Sequence, residues 1–317
     1  MDVKTIPLDI WRIIFNFLDF LSQIKFGKTH GYLYRYLSLI EMVDLTREQF
    51  RAMDNSVLEK HTNLKALEIN KLYNTSNVVY FNLDKHTKLK KLSYHYLNFK
   101  MNPNLSLINL TNLSFHFCNF APNISHLTRL QRLKVYLKDE NEDNDDNDEE
   151  FDIPAITSLT KLVLRKHKIK ILNNMTNLLT LKLFNCYGLR DKGISNLVNL
   201  TNLLIKGGYC YKNLNHFTNL RKLNIRYLDD INYDGIIKLT NLEDFTEKSS
   251  FFGHCSMHLN HLDKLTSINV NYTTRKIGEI SNLTNLRKIE LNNDQIENLD
   301  EFWNLPRTIY SLRSLAK

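Results

Sequence analysis

From residue 61 onward, apolar residues return in a fixed phrase: three apolar positions separated by gaps of two, then one polar residue and a fourth apolar position. "FTNLRKLNI" (Phe217 to Ile225) and "LTNLRKIEL" (Leu283 to Leu291) show it most plainly. In the tail of the phrase Leu223 and Ile225 alternate with Lys222, Asn224 and Arg226, which predicts a short strand with apolar residues on one side and polar residues on the other. Copies begin at His61, His86, Leu107, Leu127, Ile156, Met175, Leu197, Phe217, Leu239, Leu262 and Leu283, mostly 19 to 25 residues apart. Burying an aliphatic side chain contributes roughly 1.5 to 3 kcal/mol, so one copy cannot offset its own ordering entropy, whereas a stack of copies can.

The period and the L-x-x-L-x-L core resemble the leucine-rich repeat. That resemblance implies an α/β solenoid: a horseshoe with short parallel strands on its concave face, whose outward strand residues form one continuous binding surface. "LKLFNCYGLRDKGISNLVNL" (Leu181 to Leu200) is similar to the cysteine-containing class of these repeats. Cys186 stands where that class closes the turn after the strand, and Arg190, Asp191, Lys192 and Gly193 where it begins its convex helix. "YLDDINYDGIIKL" (Tyr227 to Leu239) is a weaker second copy.

The opening stretch, "IPLDIWRIIFNFLDFL" (Ile6 to Leu21), follows a different pattern. Ile10, Ile13, Ile14, Phe17, Leu18 and Leu21 make one apolar stripe of a helix, while Trp11 and Phe15 lie one turn apart on another, so little polar face remains. Asp9, Arg12, Asn16 and Asp19 interrupt it too often for a secretory signal or a membrane span. Ile6, Pro7, Asp9, Ile10, Ile14 and Leu18 resemble the first half of an F-box, a helical module that docks on the Skp adaptor of SCF-type ubiquitin ligases. By that resemblance Pro7, Ile10, Trp11, Ile14, Phe15 and Leu18 are the adaptor-binding residues. The second half, "KFGKTHGYLYRYL", departs from the F-box pattern, with Gly27 and Gly31 inside the expected helix. The competing reading makes the stretch a terminal cap over the first repeat, with "IEMVDL" (Ile40 to Leu45) as a degenerate first strand.

Charge changes the picture in two places. "KDENEDNDDNDEEFD", residues 138–152, holds ten carboxylates, without which the formal charge would be +18 instead of +8. It reads as a disordered acidic insertion in one turn of the stack, and it lacks the Gly and Glu placement of a calcium loop. The remaining excess is basic and falls on outward strand positions: Lys91, Arg132, Lys134, Lys161, Arg165, Lys182, Lys206, Lys222 and Arg226, with His95, His116 and Tyr136 among them. A positive concave face suits an acidic or phosphorylated protein better than it suits nucleic acid, which would use the same residues on phosphates. The alternative is that lysines merely fill solvated positions in a chain rich in Asn, Lys, Ile and Tyr.

No nucleophile elbow, phosphate loop, dinucleotide loop or H-E-x-x-H occurs, and the expectation is a non-enzymatic chain without cofactor. His254, His258 and His261, beside Cys255, share helical spacing suited to zinc, yet Leu259 and Leu262 make the segment an ordinary lead into the next repeat. Four separated cysteines suit a reducing compartment. The expected organisation is an F-box-like helical module at 1–40 and a leucine-rich-repeat solenoid at 41–317, its C-terminal cap at about 298–317. The expected role is substrate receptor of an SCF-type ubiquitin ligase, with Skp-type adaptor and cullin on one side, a protein substrate on the other, and no membrane. The expected location is the cytoplasm or nucleus. Such combinations resemble those of amoebae and giant DNA viruses. The alternative is a repeat protein that binds proteins with no ligase link.

Overall fold

The computed structural model describes residues 7, 10, 13, 14, 22, 42–45, 63–70, 83–95, 107–118, 123–137, 153–166, 168–169, 172–188, 193–208, 213–228, 233–248, 259–271, 283–292 and 309–313. The chain forms two compact units, Met1–Asp143 and Asn144–Lys317. The first holds strands β1 (Met42–Leu45), β2 (Ala66–Asn70), β3 (Lys91–His95), β4 (Asn112–Cys118) and β5 (Arg132–Leu137), each parallel to the next in chain order. The second holds β6 (Lys161–Arg165), β7 (Thr180–Phe184), β8 (Asn202–Lys206), β9 (Lys222–Arg226), β10 (Asp244–Lys248), β11 (Ser267–Asn271), β12 (Lys288–Asn292) and β13 (Ile309–Arg313), paired in the same way. Each unit is a parallel β-solenoid. The acidic run at 138–152 lies outside the described residues and contains the boundary between the units.

The spacing of the phrase is the geometry of the coil. Its first two apolar positions and the one three residues before them are linked by consecutive turns: Phe217 donates its N–H to the carbonyl of Leu214, and Leu220 donates to Phe217. The same pair recurs as Met175 to Leu172 and Leu178 to Met175, and as Leu262 to Leu259 and Leu265 to Leu262. A turn closed between residues three apart puts every third side chain on one side, and the strand that follows puts every second one there. The inward rungs of one repeat are therefore Leu214, Phe217, Leu220, Leu223 and Ile225, all at most 1% exposed. The first of these, three residues before the phrase, is a fifth rung that the phrase omits. Leu83, Ile124, Ile153, Leu172, Ile194, Ile236 and Leu259 occupy it elsewhere, all buried.

Polar residues of the phrase hold neighbouring turns together. Asn199 donates through its Nδ2 to the carbonyl of Thr176 at 2.9 Å, Asn219 to Val198 at 3.0 Å, and Asn285 to Asp263 at 2.7 Å. The partner is always the residue after the rung that opens the preceding copy. Where a cation replaces the asparagine, it reaches back to the previous asparagine's Oδ1, as Arg129 does to Asn109 at 2.8 Å. The abundant asparagines are thus part of the coil.

Strands end in a left-handed residue: Phe117, Lys166, Asn185, Gly207 and Tyr227 all have φ between 49° and 63°. In the second unit this residue donates its N–H to the last strand carbonyl of the following repeat: Lys166 to Phe184, Asn185 to Lys206, Gly207 to Arg226 and Tyr227 to Lys248. Cys186 follows such a residue and is buried, its Sγ 3.6 Å from the Phe184 carbonyl, in keeping with its expected place at the turn. Cys118, the last residue of β4, likewise follows the left-handed Phe117 and is buried.

The expected convex helices are scarce. Among the described residues of the repeats the connections are turns, apart from a short 3-10 helix, Tyr233–Lys238, in the weaker of the two cysteine-class copies, and Gly193 of the stronger copy, which is also in 3-10 conformation. Repeats of this length spend their residues on the strand and on two consecutive turns, which leaves little chain for an α-helix. At the N-terminus Ile10, Ile13, Ile14 and Ser22 are helical, and Ile10 donates its N–H to the Pro7 carbonyl at 3.1 Å. The remainder of the F-box-like module lies outside the described residues. Of the C-terminal cap expected at about 298–317, the described part is the strand β13.

Candidate functional site

In β3, β7, β8 and β9 the second and fourth side chains face the core and the first, third and fifth face outward; β5 and β6 alternate in the same way, save that Val163, third in β6, is buried as well. All nine basic residues expected on the binding face occupy these outward positions. Lys91, Arg132, Lys161 and Lys222 hold the first position, Lys134 and Lys182 the third, and Arg165, Lys206 and Arg226 the fifth. The register, residue for residue, decides which of them meet. Lys91 and Arg132 are separated by Asn112, and Lys161 and Lys222 by Thr180 and Asn202. Lys206 and Arg226 are paired directly, and Arg226 is paired in turn with Lys248 on β10.

Lys248 escapes the sequence reading because its repeat breaks the phrase. The inward rung before it is Glu247, fully buried between Ile225 and Val270 in register. Counting on from Leu239 locates both. Also missed were the apolar residues at outward positions of this unit: Val163, Phe184 and Leu204.

The first unit carries a different surface. His95 and His116 stack with ring centroids 4.2 Å apart and planes within 1°, and Tyr136 meets His116 edge-on at 5.3 Å. Glu68 lies 2.9 Å from His95 Nε2, and Lys134 Nζ sits 4.5 Å over the Tyr136 ring. Burial, then the charges of Lys134 and His95, push the His116 imidazole down to about 4, so it is neutral at pH 7. Below this row Tyr94 is buried against Phe115, and that burial, with Cys118 beside it, drives its phenol far above the usual range.

Of the adaptor-binding candidates, Pro7 and Ile10 are exposed and Ile14 is half-buried. Trp11, Phe15 and Leu18 lie outside the described residues. So do His254, Cys255 and His258 of the candidate zinc cluster, while His261 is exposed. Among the described residues no group of three His, Cys, Asp or Glu side chains is placed to hold a metal ion, and no helix is long and apolar enough to cross a membrane.

The coil of turns, strands and asparagine bonds is the fold of leucine-rich-repeat proteins. It is similar to a leucine-rich-repeat protein of Leptospira interrogans, with 16% identity, a TM-score of 0.61, and coverage of 90% of this chain and 81% of that one. An internalin of Listeria monocytogenes matches with 19% identity and a TM-score of 0.54, covering 89% of this chain and 88% of that one. The functional domain of InlJ from the same species, which includes a cysteine ladder, matches at 17% identity and a TM-score of 0.52, over 86% of this chain and 63% of that one. No family model matches the sequence, and no curated protein matches it.

Proposed function

We propose that the chain is a non-catalytic receptor that binds a protein on the outward faces of its strands and docks through its N-terminal helix on a Skp-type adaptor, as substrate receptor of an SCF-type ubiquitin ligase acting inside the cell. The observation that favours this reading over a cap is the exposure of Ile10 and Ile13, 45% and 52%, one helical turn apart. A cap would turn such residues onto the first repeat; an adaptor-binding helix keeps them free for a partner. Ile14, beside them, is half-buried and suits packing inside the module. Pro7, three residues before Ile10, accepts the Ile10 N–H on its carbonyl, and a proline ahead of a helix gives up no N–H that the helix needs.

The test is affinity purification of the full chain from its natural cell. Adaptor and cullin are expected with the intact protein and absent with a chain lacking residues 1–38. Recovery of both with the deleted chain, or of neither with the intact one, removes the ligase reading and leaves a repeat protein that binds proteins.

A further inference from the structure

On β6 to β8 three outward positions carry apolar side chains on a face that is otherwise polar or charged. Val163 is only 7% exposed, and Phe184 and Leu204 are half-buried. The register puts Val163 and Leu204 in the third-position row on either side of Lys182. Phe184 stands in the fifth-position row of the intervening strand, diagonal to both. Around this patch lie Arg165, Lys182, Lys206 and Arg226, and Lys248 continues the edge.

Lys206, Arg226 and Lys248 succeed one another in register on adjacent strands, about 4.8 Å apart. Like charges in such pairs destabilise a sheet, and among the described residues no carboxylate is ion-paired with any of the three. Arg226 spends its Nε on Asn224 Oδ1 at 2.9 Å, and Lys206 Nζ leans toward the Tyr227 ring at 5.8 Å. Apolar surface in the middle and unneutralised cations at the side are the arrangement by which interfaces concentrate their energy: a desolvated anchor within a charged rim.

From this we infer that β6 to β10 dock an amphipathic acidic segment of a protein partner, with its apolar side chains on Phe184 and Leu204 and its carboxylates on Lys206, Arg226 and Lys248. The inference rests on the receptor reading of the sheet face and names the chemistry of what that face takes. Charge complementarity selects an anion. The patch selects a peptide among anions, because Phe184 is the one ring among its three side chains, and single strands hold successive bases on several aromatic faces.

The test is fluorescence anisotropy on the full chain with three probes of equal charge: a labelled peptide of Leu and Phe patterned with Asp and Glu, polyglutamate, and single-stranded oligothymidylate. The patterned peptide is expected to bind about tenfold or more tightly than either other probe, and part of its binding to survive about 0.5 M salt. Phe184→Ser with Leu204→Ser, and separately Lys206→Glu with Lys248→Glu, should each weaken it about tenfold or more. Lys238→Glu, the same charge reversal at a single site on the exposed end of the 3-10 helix, should leave it unchanged. Leu204→Thr alone carries the same reading if the double serine variant melts early. Equal affinity for the three probes, or peptide affinity indifferent to Phe184 and Leu204, overturns the inference. Adaptor recovery reports the ligase reading separately, so the failure of either is seen without the other.

Discussion

Asn241 donates its side-chain N–H to the carbonyl of Thr218, 2.9 Å away in the preceding repeat, and accepts on its Oδ1 from Lys264 at 2.6 Å in the following one. One exposed amide therefore ties three turns. Asn241→Ala should cost about 1 kcal/mol, the net worth of such a bond. Asn199→Ala should cost a similar amount, and the double variant about the sum, since the sites share no partner. Urea midpoints at unchanged slope measure this; a midpoint that does not move in Asn241→Ala shows that water replaces the ladder without loss.

Acid should weaken the first unit through His116. Its folded pKa of about 4 lies below the ordinary 6.5, so between those values the unfolded chain binds a proton that the folded one does not. Stability is flat above about 6.5, falls as pH drops toward 4, and levels below that. The difference in melting midpoint between the parent and His116→Gln should shrink across this window. A difference that stays constant from pH 7 to 4 would remove His116 as the cause.

Gly207 and Gly208 both have positive φ, +63° and +96°, but their surroundings differ. A Cβ on Gly208 would run into the backbone carbonyl of Cys186, whereas one on Gly207 meets the side-chain amide of Asn185, which can rotate. Gly208→Ala should therefore lose several kcal/mol, and Gly207→Ala about 1 kcal/mol. Equal losses in paired denaturation curves would show that the carbonyl gives way.

Glu247, buried between Ile225 and Val270, is the one carboxylate on an inward rung among the described residues. Replacing a buried ionisable group by an apolar one of similar size is often neutral or stabilising by about 1 to 4 kcal/mol. Glu247→Leu should melt at or above the parent temperature, and Glu247→Ala below it, because alanine leaves a void. Early melting of the leucine variant would mean that the carboxylate holds this turn together.

The strands were legible because their apolar residues recur at a spacing that only one coil satisfies; Leu223 and Ile225 already point inward on the page. The rung at Leu214 was missed, although a Leu or Ile stands three residues before most copies, because the chain ahead of it varies in length and blurs where each copy starts. Asparagine's role was hidden for another reason: its partner is a carbonyl one repeat back, and carbonyls have no letter. The basic residues were readable as a set but not as a site, because the pairing of Lys206 with Arg226 and Lys248 depends on register. Val163, Phe184 and Leu204 were missed because an apolar residue inside a strand shows its side only once the alternation is fixed.

Successive copies from Leu197 to Leu283 are 20, 22, 23 and 21 residues long, yet β8 to β12 remain in step residue for residue. The unequal lengths fall between the end of each strand and the first rung of the next, while the count from the opening rung of the phrase to the strand stays fixed. Such a chain forgives errors of copying: a residue gained or lost between strand end and first rung displaces nothing downstream. The register of the outward strand positions is thereby kept apart from changes of length in the segments between strands.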